Sequence, residues 1–445
     1  MFREKVMQRR IDAKLLEWKN SDRRKPLIVR GARQVGKTWS VKKLGSHHFA
    51  NTVHMDLEKN RDFHLLFQTD LDPKSLIRGI EVMLKTRVIP GKTLLFMDEI
   101  QSCPRAIMSL RYFFEEMPGL HVIAAGSLLD FAMAEISFPV GRIQYLNMEP
   151  MSFSEFLRAG DNKSAVEIIE SRPERLPEAI HKSLLDQLKT YLFVGGMPES
   201  VKCYYRTGSF MESFRVHREL IHSFKDDFGK YAGRSDRSCL DDVLMNTSRF
   251  VGRQLVYSGL SHSFSQPTIK KAFDLLNKAR LIKKVGSVGK LQLPLSAQIS
   301  SRKFKAIILD VGIWQQLSGI SLEDSIREQD LMNVYRGSLA EQFVGQELAS
   351  STNDSLHYWA RSAKSSTAEV DYVVDVNGEI YPIEVKSGSS GSLKSLHLAL
   401  KSFPQCPRGI VFSAREYGEI PEQKLTFLPL YYAGQWMNRG IADGS

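Results

Sequence analysis

The chain has 445 residues, of which 42% are hydrophobic and 25% are charged, and its formal net charge is +11. This composition is typical of a soluble globular protein of about three domains, and no apolar stretch approaches the ~18 residues of a membrane-spanning helix. Four widely spaced cysteines without metal-ligand spacing, and a charged start at Met1–Val6 instead of a secretory signal, predict a reduced, cytoplasmic protein with no membrane partner.

The positive charge is concentrated in two segments. Residues 1–60 carry 15 Lys/Arg against 6 Asp/Glu, and residues 266–305 carry 10 against 1. Such concentrated basic segments favour a polyanionic partner, DNA or another nucleic acid. The alternative is that part of the first segment serves nucleotide phosphates and that the remainder is solvated surface.

After an amphipathic helix predicted over residues 3–20, the first motif is Gly-x4-Gly-Lys-Thr at residues 31–38. It follows an apolar strand, Leu27-Ile28-Val29, and precedes helical spacing, which is the context that a phosphate-binding P-loop requires. Lys37 is expected to neutralise the β- and γ-phosphates of ATP, and Thr38 to bind Mg²⁺. The residues predicted to bind the nucleotide are Gly31, Ala32, Arg33, Gln34, Val35, Gly36, Lys37, Thr38 and Trp39.

A second apolar strand, Thr93–Met97, ends in two carboxylates. This is the Walker B arrangement, in which Asp98 would hold Mg²⁺ and Glu99 would orient or deprotonate the attacking water. The alternative is a buried parallel strand followed by an acidic helix cap. The P-loop upstream favours the nucleotide site.

Strand and helix patterns alternate from Leu27 to about Pro150, which predicts a parallel sheet flanked by helices. Ser127, just after the strand predicted at His121–Ala125, is a candidate sensor of the γ-phosphate, although a turn or a helix cap is equally compatible with it. Arg142 is a candidate arginine finger, with an ordinary surface arginine as the alternative.

Residues 151–239 are mostly helical and predict a lid on the ATPase core. Residues 240–320 then resemble a winged helix-turn-helix in which Thr268–Leu276 would be the recognition helix. The alternative is a winged helix that only packs against the core. DNA binding would place three lysines near phosphates, namely Lys270, Lys271 and Lys278.

The segment Glu369–Lys386 has the pattern of a hairpin with a carboxylate-bearing face. Asn377-Gly378 between alternating segments predicts a two-residue type I′ turn. The resulting register places Asp371 opposite Glu384, and Glu369 opposite Lys386.

Two facing carboxylates repel each other unless a divalent cation lies between them. Asp371 and Glu384, with Lys386 beside them to hold a water or the scissile phosphate, suit metal-assisted phosphodiester hydrolysis. The alternative is a solvated polar strand face on which the repulsion is screened.

These residues resemble the site of the PD-(D/E)xK restriction-endonuclease-like fold. The resemblance implies a metal site formed by Glu341 on the preceding helix, Asp371 and Glu384, with Lys386 as a catalytic residue. Val370 stands where that pattern has proline, a change that weakens the nuclease interpretation only a little.

Nearly the whole chain resembles a prokaryotic AAA-type ATPase family that joins a Gly-x-Arg-Gln-x-Gly-Lys-Thr P-loop to such a C-terminal domain of unknown function. The resemblance implies a bacterial or archaeal cytoplasmic protein that binds ATP. The other motifs that carry it are Asp98-Glu99-Ile100-Gln101, Gly126-Ser127, Gly195-Gly196-Met197-Pro198, Leu309-Asp310-Val311-Gly312 and Gly337-Ser338-Leu339-Ala340-Glu341.

The sequence thus predicts an α/β protein with a P-loop ATPase core (1–150), a helical lid (151–239), a winged helix (240–320) and a restriction-endonuclease-like domain (325–445). The predicted function is an ATPase that uses ATP and Mg²⁺ to act on nucleic acid, in defence or DNA processing. The alternative is a regulatory switch whose C-terminal domain only binds a partner. A homo-oligomer is compatible with both.

Overall fold

The computed structural model describes residues 7–127, 129, 141–231, 234–319, 336–352, 356–363, 366–386 and 392–437. The chain divides into two compact units, Gln8–Glu149 and a second that combines Met1–Met7 with Pro150–Ser445. Among the described residues, no helix is long and apolar enough to cross a membrane.

The first unit is a parallel sheet with helices packed on it. Its described strands are β1 (Leu27–Arg30), β2 (Asn51–Asp56), β3 (Thr93–Asp98), β4 (His121–Gly126) and β5 (Gln144–Asn147). Its described helices are α1 (Arg10–Asn20), α2 (Lys37–His48), α3 (Pro73–Leu84) and α4 (Pro104–Glu116). The strand order is β2-β3-β4-β1-β5, and every neighbouring pair is parallel.

This sheet confirms the parallel α/β core that the sequence predicts. Strands β3 and β4 are buried at every residue, as expected of parallel strands covered on both faces. Strand β1 lies between β4 and β5, so the P-loop leaves the sheet one strand in from its β5 edge. Strand β5 has no counterpart in the sequence analysis, because Gln144–Asn147 is only half-buried and lacks an apolar run.

The second unit contains a mixed eight-stranded sheet and the remaining described helices. The strands are β6 (Ile282–Val288), β7 (Ile299–Ile308), β8 (His357–Ala363), β9 (Ser366–Val376), β10 (Glu379–Val385), β11 (Gly409–Ser413), β12 (Gly418–Ile420) and β13 (Leu425–Pro429). The helices are α5 (Phe153–Ala159), α6 (Lys163–Glu170), α7 (Glu178–Val194), α8 (Pro198–Thr207), α9 (Phe210–Tyr231), α10 (Arg234–Arg249), α11 (Gln266–Lys278), α12 (Val311–Leu317), α13 (Arg336–Ala349), α14 (Lys394–Ser402) and α15 (Ala433–Trp436).

The parts predicted as a winged helix and as a C-terminal domain share this one sheet, whose order is β12-β13-β11-β10-β9-β8-β6-β7. Helices α10 and α11 are followed by the antiparallel pair β6–β7, and β6 also pairs in parallel with β8. Helices α7 and α9, which fall in the predicted lid, pack against α12 within this unit. The boundaries at 239 and 320–325 stay predictions.

The predicted hairpin register holds along most of β9 and β10. Asn377 and Gly378 have φ values of 54° and 87°, as a type I′ turn requires, and the pairs run from Val376–Glu379 to Tyr372–Ile383. The ladder then ends, because the Asp371 Oδ2 atom accepts a hydrogen bond from the Val385 amide at 2.9 Å. The predicted pairs Asp371–Glu384 and Glu369–Lys386 both lie beyond the end of this ladder, and on the other edge of β9 Glu369 lies opposite Ala360 of β8.

Two glycine-containing motifs meet in the core of this unit. Asp310 caps α12 by accepting hydrogen bonds from the amides of Gly312 (2.9 Å) and Ile313 (3.1 Å), and its other oxygen accepts from Gly196 at 2.5 Å. Gly195 has a φ of 68°, and a Cβ there would collide with the Asp310 carboxylate. The Gly-Gly-Met-Pro and Leu-Asp-Val-Gly motifs are thus parts of one packing contact.

Candidate functional sites

The P-loop has the backbone that phosphate binding requires. It follows β1 and leads directly into α2, and its residues Gln34 and Gly36 have left-handed φ values of 64° and 100°. Such a turn can direct successive amide N–H groups towards one anion at a helix N-terminus. At Gly31 a Cβ would collide with the carbonyl oxygen of Met148, so that glycine permits a close approach of two backbones.

Lys37 lies inside this loop. Its side chain is buried, and its Nζ donates to the carbonyl oxygens of Gly31 at 2.9 Å and Ala32 at 2.8 Å. An ammonium has three donors and no acceptor, so anionic phosphate oxygens suit it better than neutral carbonyls. The lysine is positioned to exchange these carbonyls for phosphate.

The two predicted Walker B carboxylates lie at the end of β3. Asp98 is buried, and its Oδ2 atom is 3.3 Å from Nε2 of His54 on the neighbouring strand β2. Glu99 adopts a left-handed φ of 48°, and its Oε2 atom accepts a hydrogen bond from Gln101 Nε2 at 2.6 Å. Positive φ at a non-glycine residue is uncommon and concentrates at functional sites.

Ser127 and Thr38 come to the same edge of the sheet. Arg30 pairs with Gly126, so the residues that follow, Gly31 and Ser127, leave adjacent strands at the same level. The Ser127 hydroxyl is buried and has no hydrogen-bond partner among the described residues. Thr38 is in the first turn of α2. The sheet thus brings the P-loop, Asp98 and Ser127 to its carboxyl edge.

Arg142 is placed elsewhere. Gln144 pairs with Leu27 at the start of β1, so Arg142 lies near the amino edge of the sheet, opposite the P-loop. Its Nε donates to Glu115 Oε1 at 3.0 Å, and this hydrogen bond, with that from Arg111, lowers the pKa of Glu115. The structure therefore does not support Arg142 as a phosphate-contacting arginine within its own chain.

Sequence reasoning missed an arginine, Arg9, that contacts the P-loop. Arg9 is buried, and its guanidinium donates to the carbonyl oxygens of Val35 at 2.8 Å and Glu149 at 2.7 Å. It therefore supports the P-loop backbone from outside the motif. Neither spacing nor composition distinguishes Arg9 from the adjacent Arg10.

Two of the three predicted metal ligands of the C-terminal region, Glu341 and Asp371, contact a lysine. Lys305 of β7 is buried, and its Nζ is 2.8 Å from Glu341 Oε1, 2.5 Å from Glu369 Oε1 and 3.3 Å from Asp371 Oδ1. Burial lowers the pKa of Lys305, but the three carboxylates outweigh this effect and raise it well above its usual value. We call Lys305, Glu341, Glu369 and Asp371 the Lys305 cluster.

The predicted metal site of Glu341, Asp371 and Glu384 stays a prediction, and the structure shows two of its residues around Lys305. In the part of the chain that the structure describes, no group of three or more His, Cys, Asp or Glu side chains is placed to hold a metal ion. The Lys305 ammonium supplies one positive charge beside Glu341 and Asp371 and so offsets part of their negative charge. The sequence analysis had counted Lys305 within the basic segment assigned to DNA.

Glu384 and Lys386 form a separate ion pair next to this cluster. Lys386 Nζ is 2.6 Å from Glu384 Oε1, while the buried Oε2 atom has no hydrogen-bond partner among the described residues. Burial raises the pKa of Glu384, the nearby Asp371 raises it further, and Lys386 opposes both effects. Burial likewise raises the pKa of Glu341.

Comparison with known families agrees with the nucleotide site. Residues 23–157 match the model of an AAA domain. Residues 185–324 and 336–432 match two models that are each described as a domain of unknown function, DUF8612 and DUF4143. The chain therefore contains an AAA-type P-loop ATPase domain, and its P-loop and Walker B residues fall within it. No curated protein matches the chain.

Several solved structures show some similarity to the chain. The Walker-type ATPase PABY2304 of Pyrococcus abyssi is 15% identical with a TM-score of 0.46, over 71% of this chain and 97% of that one. The Aeropyrum pernix ORC1 protein in complex with DNA is 10% identical with a TM-score of 0.30, over 71% and 92%. The Thermotoga maritima RuvB Holliday junction branch migration motor is 12% identical with a TM-score of 0.30, over 72% and 94%.

Proposed function

We propose that the protein hydrolyses ATP with Mg²⁺ and uses the nucleotide cycle to act on nucleic acid. The observation that carries the ATPase part is the placement of Lys37, Asp98 and Glu99 at one edge of a parallel sheet. A P-loop lysine and two acidic residues after a neighbouring strand are the parts that phosphoryl transfer to water requires.

Each of these residues has a distinct role in the proposal. Lys37 neutralises charge on the β- and γ-phosphates, and Glu99 orients the attacking water once Gln101 releases its carboxylate. The Thr38 hydroxyl and the Asp98 carboxylate are oxygen ligands of the kind that Mg²⁺ prefers, so the residues fit that ion. When bound, Mg²⁺ would neutralise charge that develops on the phosphate oxygens.

The nucleic-acid part of the proposal is supported by helix α11. Ile269, Phe273 and Leu276 are buried, while Lys270, Lys271 and Lys278 are exposed on the opposite side. A helix that follows a turn and presents lysines outwards suits contacts with the phosphate backbone. Not all of the basic segment contributes, because Lys284 donates to Tyr257 Oη and Lys305 is buried.

ATP turnover measured with and without duplex DNA tests both parts. We expect wild-type turnover to increase with DNA and the Lys37→Ala variant to be inactive in either condition. Equal turnover by wild type and Lys37→Ala would refute the ATPase proposal. Turnover that depends on Lys37 but neither responds to DNA nor accompanies DNA binding would refute the nucleic-acid part alone.

A second candidate function is a nucleotide-dependent switch whose C-terminal domain binds a partner protein. The Lys305 cluster favours it, because a carboxylate group that is already compensated does not need a metal and has no evident hydrolytic role. Metal-dependent cleavage of DNA by the purified protein, abolished by Lys386→Ala, would argue against this candidate.

A further inference from the structure

The Lys305 cluster has the charge of a metal site but not its metal. Three carboxylate oxygens from α13 and β9 point to one position, and Lys305 Nζ lies there. We infer that Lys305 takes the place of a divalent cation, so that the Lys305 cluster binds none in the native protein, and that removing the amine exposes a latent cation site. This inference does not depend on the ATPase activity.

The distances exclude an ammonium and a metal ion at the same time. Protein oxygens bind Mg²⁺ at about 2.1 Å and Ca²⁺ at 2.3–2.6 Å, so a cation at the position of Nζ would need the same oxygen atoms that contact Nζ. The nearest Lys305 contacts are 2.5 Å and 2.8 Å long. A divalent ion placed among these oxygens would lie against the positive charge of an ammonium whose side chain is only 2% exposed.

Neighbouring groups orient the carboxylates around the amine. The second oxygen of Glu369 accepts a hydrogen bond from Gln254 Nε2 at 2.6 Å, and that of Asp371 accepts from the Val385 amide at 2.9 Å. Lys305 Nζ also lies 5.5 Å from the centre of the Tyr358 ring, whose face attracts a cation. These contacts fix two of the three carboxylates independently of any metal.

The same geometry explains why a cation site would appear without the amine. Glu341 is buried and Glu369 and Asp371 are partly buried, so without a positive charge the three carboxylates would repel and destabilise one another. Methionine has nearly the length of lysine but no charge, so Lys305→Met would keep most of the packing and remove the compensation. A hard divalent cation with oxygen preference, such as Mn²⁺, would then restore it.

Thermal melting of the full chain, without nucleotide, tests the inference. We expect Mn²⁺ to shift the melting temperature of wild type and of Asp371→Asn by the same amount, since any binding at the P-loop is common to both. Lys305→Met should melt lower in EDTA and gain a larger Mn²⁺ shift than wild type. The double variant Lys305→Met/Asp371→Asn should lose that gain.

The control is Lys303→Met, which removes an exposed lysine from the same strand. It should behave as wild type does. A Mn²⁺ shift in wild type that Asp371→Asn abolishes would overturn the inference, because the native cluster would then bind metal with Lys305 in place. That comparison needs no lysine variant.

If Mn²⁺ shifts the melting temperature of Lys305→Met no more than that of wild type, the inference of a latent site is refuted. If Lys305→Met does not fold, Lys305→Met/Glu369→Gln removes one of the uncompensated carboxylates and is measured in its place. Failure of both variants to fold even in Mn²⁺ would count against the latent site, because the cation is expected to restore stability.

Discussion

Arg9 Nη1 donates a hydrogen bond to the carbonyl oxygen of Val35 at 2.8 Å, so a residue that precedes α1 holds the backbone of the P-loop. The same guanidinium reaches the carbonyl of Glu149, beyond the end of β5. One side chain thereby connects the loop to a second segment of the first unit. The contact fixes the orientation of the Val35 carbonyl. This carbonyl must point away from a bound phosphate if the amides of the loop are to point towards that phosphate.

We predict that Arg9→Ala weakens ATP binding about tenfold, because a hydrogen bond from a charged donor is worth about 1.5–3 kcal/mol and the loop backbone loses its support. Nucleotide titration followed by fluorescence or calorimetry provides the measurement. Arg9→Lys should recover only part of the affinity, since one ammonium cannot reproduce the two-pronged contact. Arg10→Ala is the matched control, and equal losses in the two alanine variants would refute a specific role for Arg9.

Glu99→Gln should keep ATP affinity near that of wild type and reduce turnover by at least 100-fold, because the amide cannot accept a proton from water. Single-turnover hydrolysis and nucleotide binding, measured on the same preparation, separate the two effects. The exposed Glu116, changed to Gln, controls for the loss of a negative charge. Normal turnover by Glu99→Gln would assign the water to another group.

Charge reversal at Lys270 and Lys271 should weaken DNA binding and reduce its salt dependence. Each lost phosphate contact is expected to lower the slope of log K against log salt by about 0.9. Binding isotherms at several salt concentrations give the slope. Lys163→Glu/Lys182→Glu makes the same charge change at exposed positions outside α11, so an identical slope in both double variants would show that only net charge matters.

The stability of the second unit should fall with acid through His217. Burial lowers the pKa of this histidine to about 4, while its Nε2–H donates to the Val194 carbonyl at 2.9 Å. An unfolded histidine titrates near 6.5, so below that pH the unfolded state binds a proton while the folded histidine stays neutral. The free energy of unfolding should therefore decrease as the pH falls from about 6.5 towards 4.

For His217 alone, the expected loss between pH 6.5 and pH 5 is about 2 kcal/mol. Urea unfolding at a series of pH values measures it, and His217→Gln should make the dependence shallower by that amount. His121 in the first unit also has a pKa of about 4 because of burial, and His121→Gln serves as a comparison. A pH dependence that neither variant changes would show that carboxyl groups control the acid sensitivity.

The features that depend only on residues close together in the sequence could be predicted. The P-loop, the Walker B strand and the type I′ turn at Asn377-Gly378 each follow from local spacing and were found at the expected positions. Lys305 was beyond such reasoning, because its three partners come from residues 341, 369 and 371 and only the folded sheet and α13 bring them together.

Arg142 was predicted near the phosphates, but the fold places it elsewhere. Its position after the core strands suggested a place near the phosphates. Which edge of the sheet it occupies depends on the register of β5 against β1, and a short, half-polar strand gives no sequence signal for that register. Arg9 was missed because the partners of its guanidinium are backbone carbonyls, which leave no trace in residue type.

The pairing of β6 with both β7 and β8 joins two regions that match separate family models, residues 185–324 and 336–432. Dividing the chain between them would expose two unpaired strand edges, which invite association with other chains. The two halves are therefore expected to be insoluble when expressed apart and to recover when co-expressed. The same sheet also connects α11, which packs against β6, to the β9–β10 hairpin, so a displacement of β6 would reach the hairpin through β8.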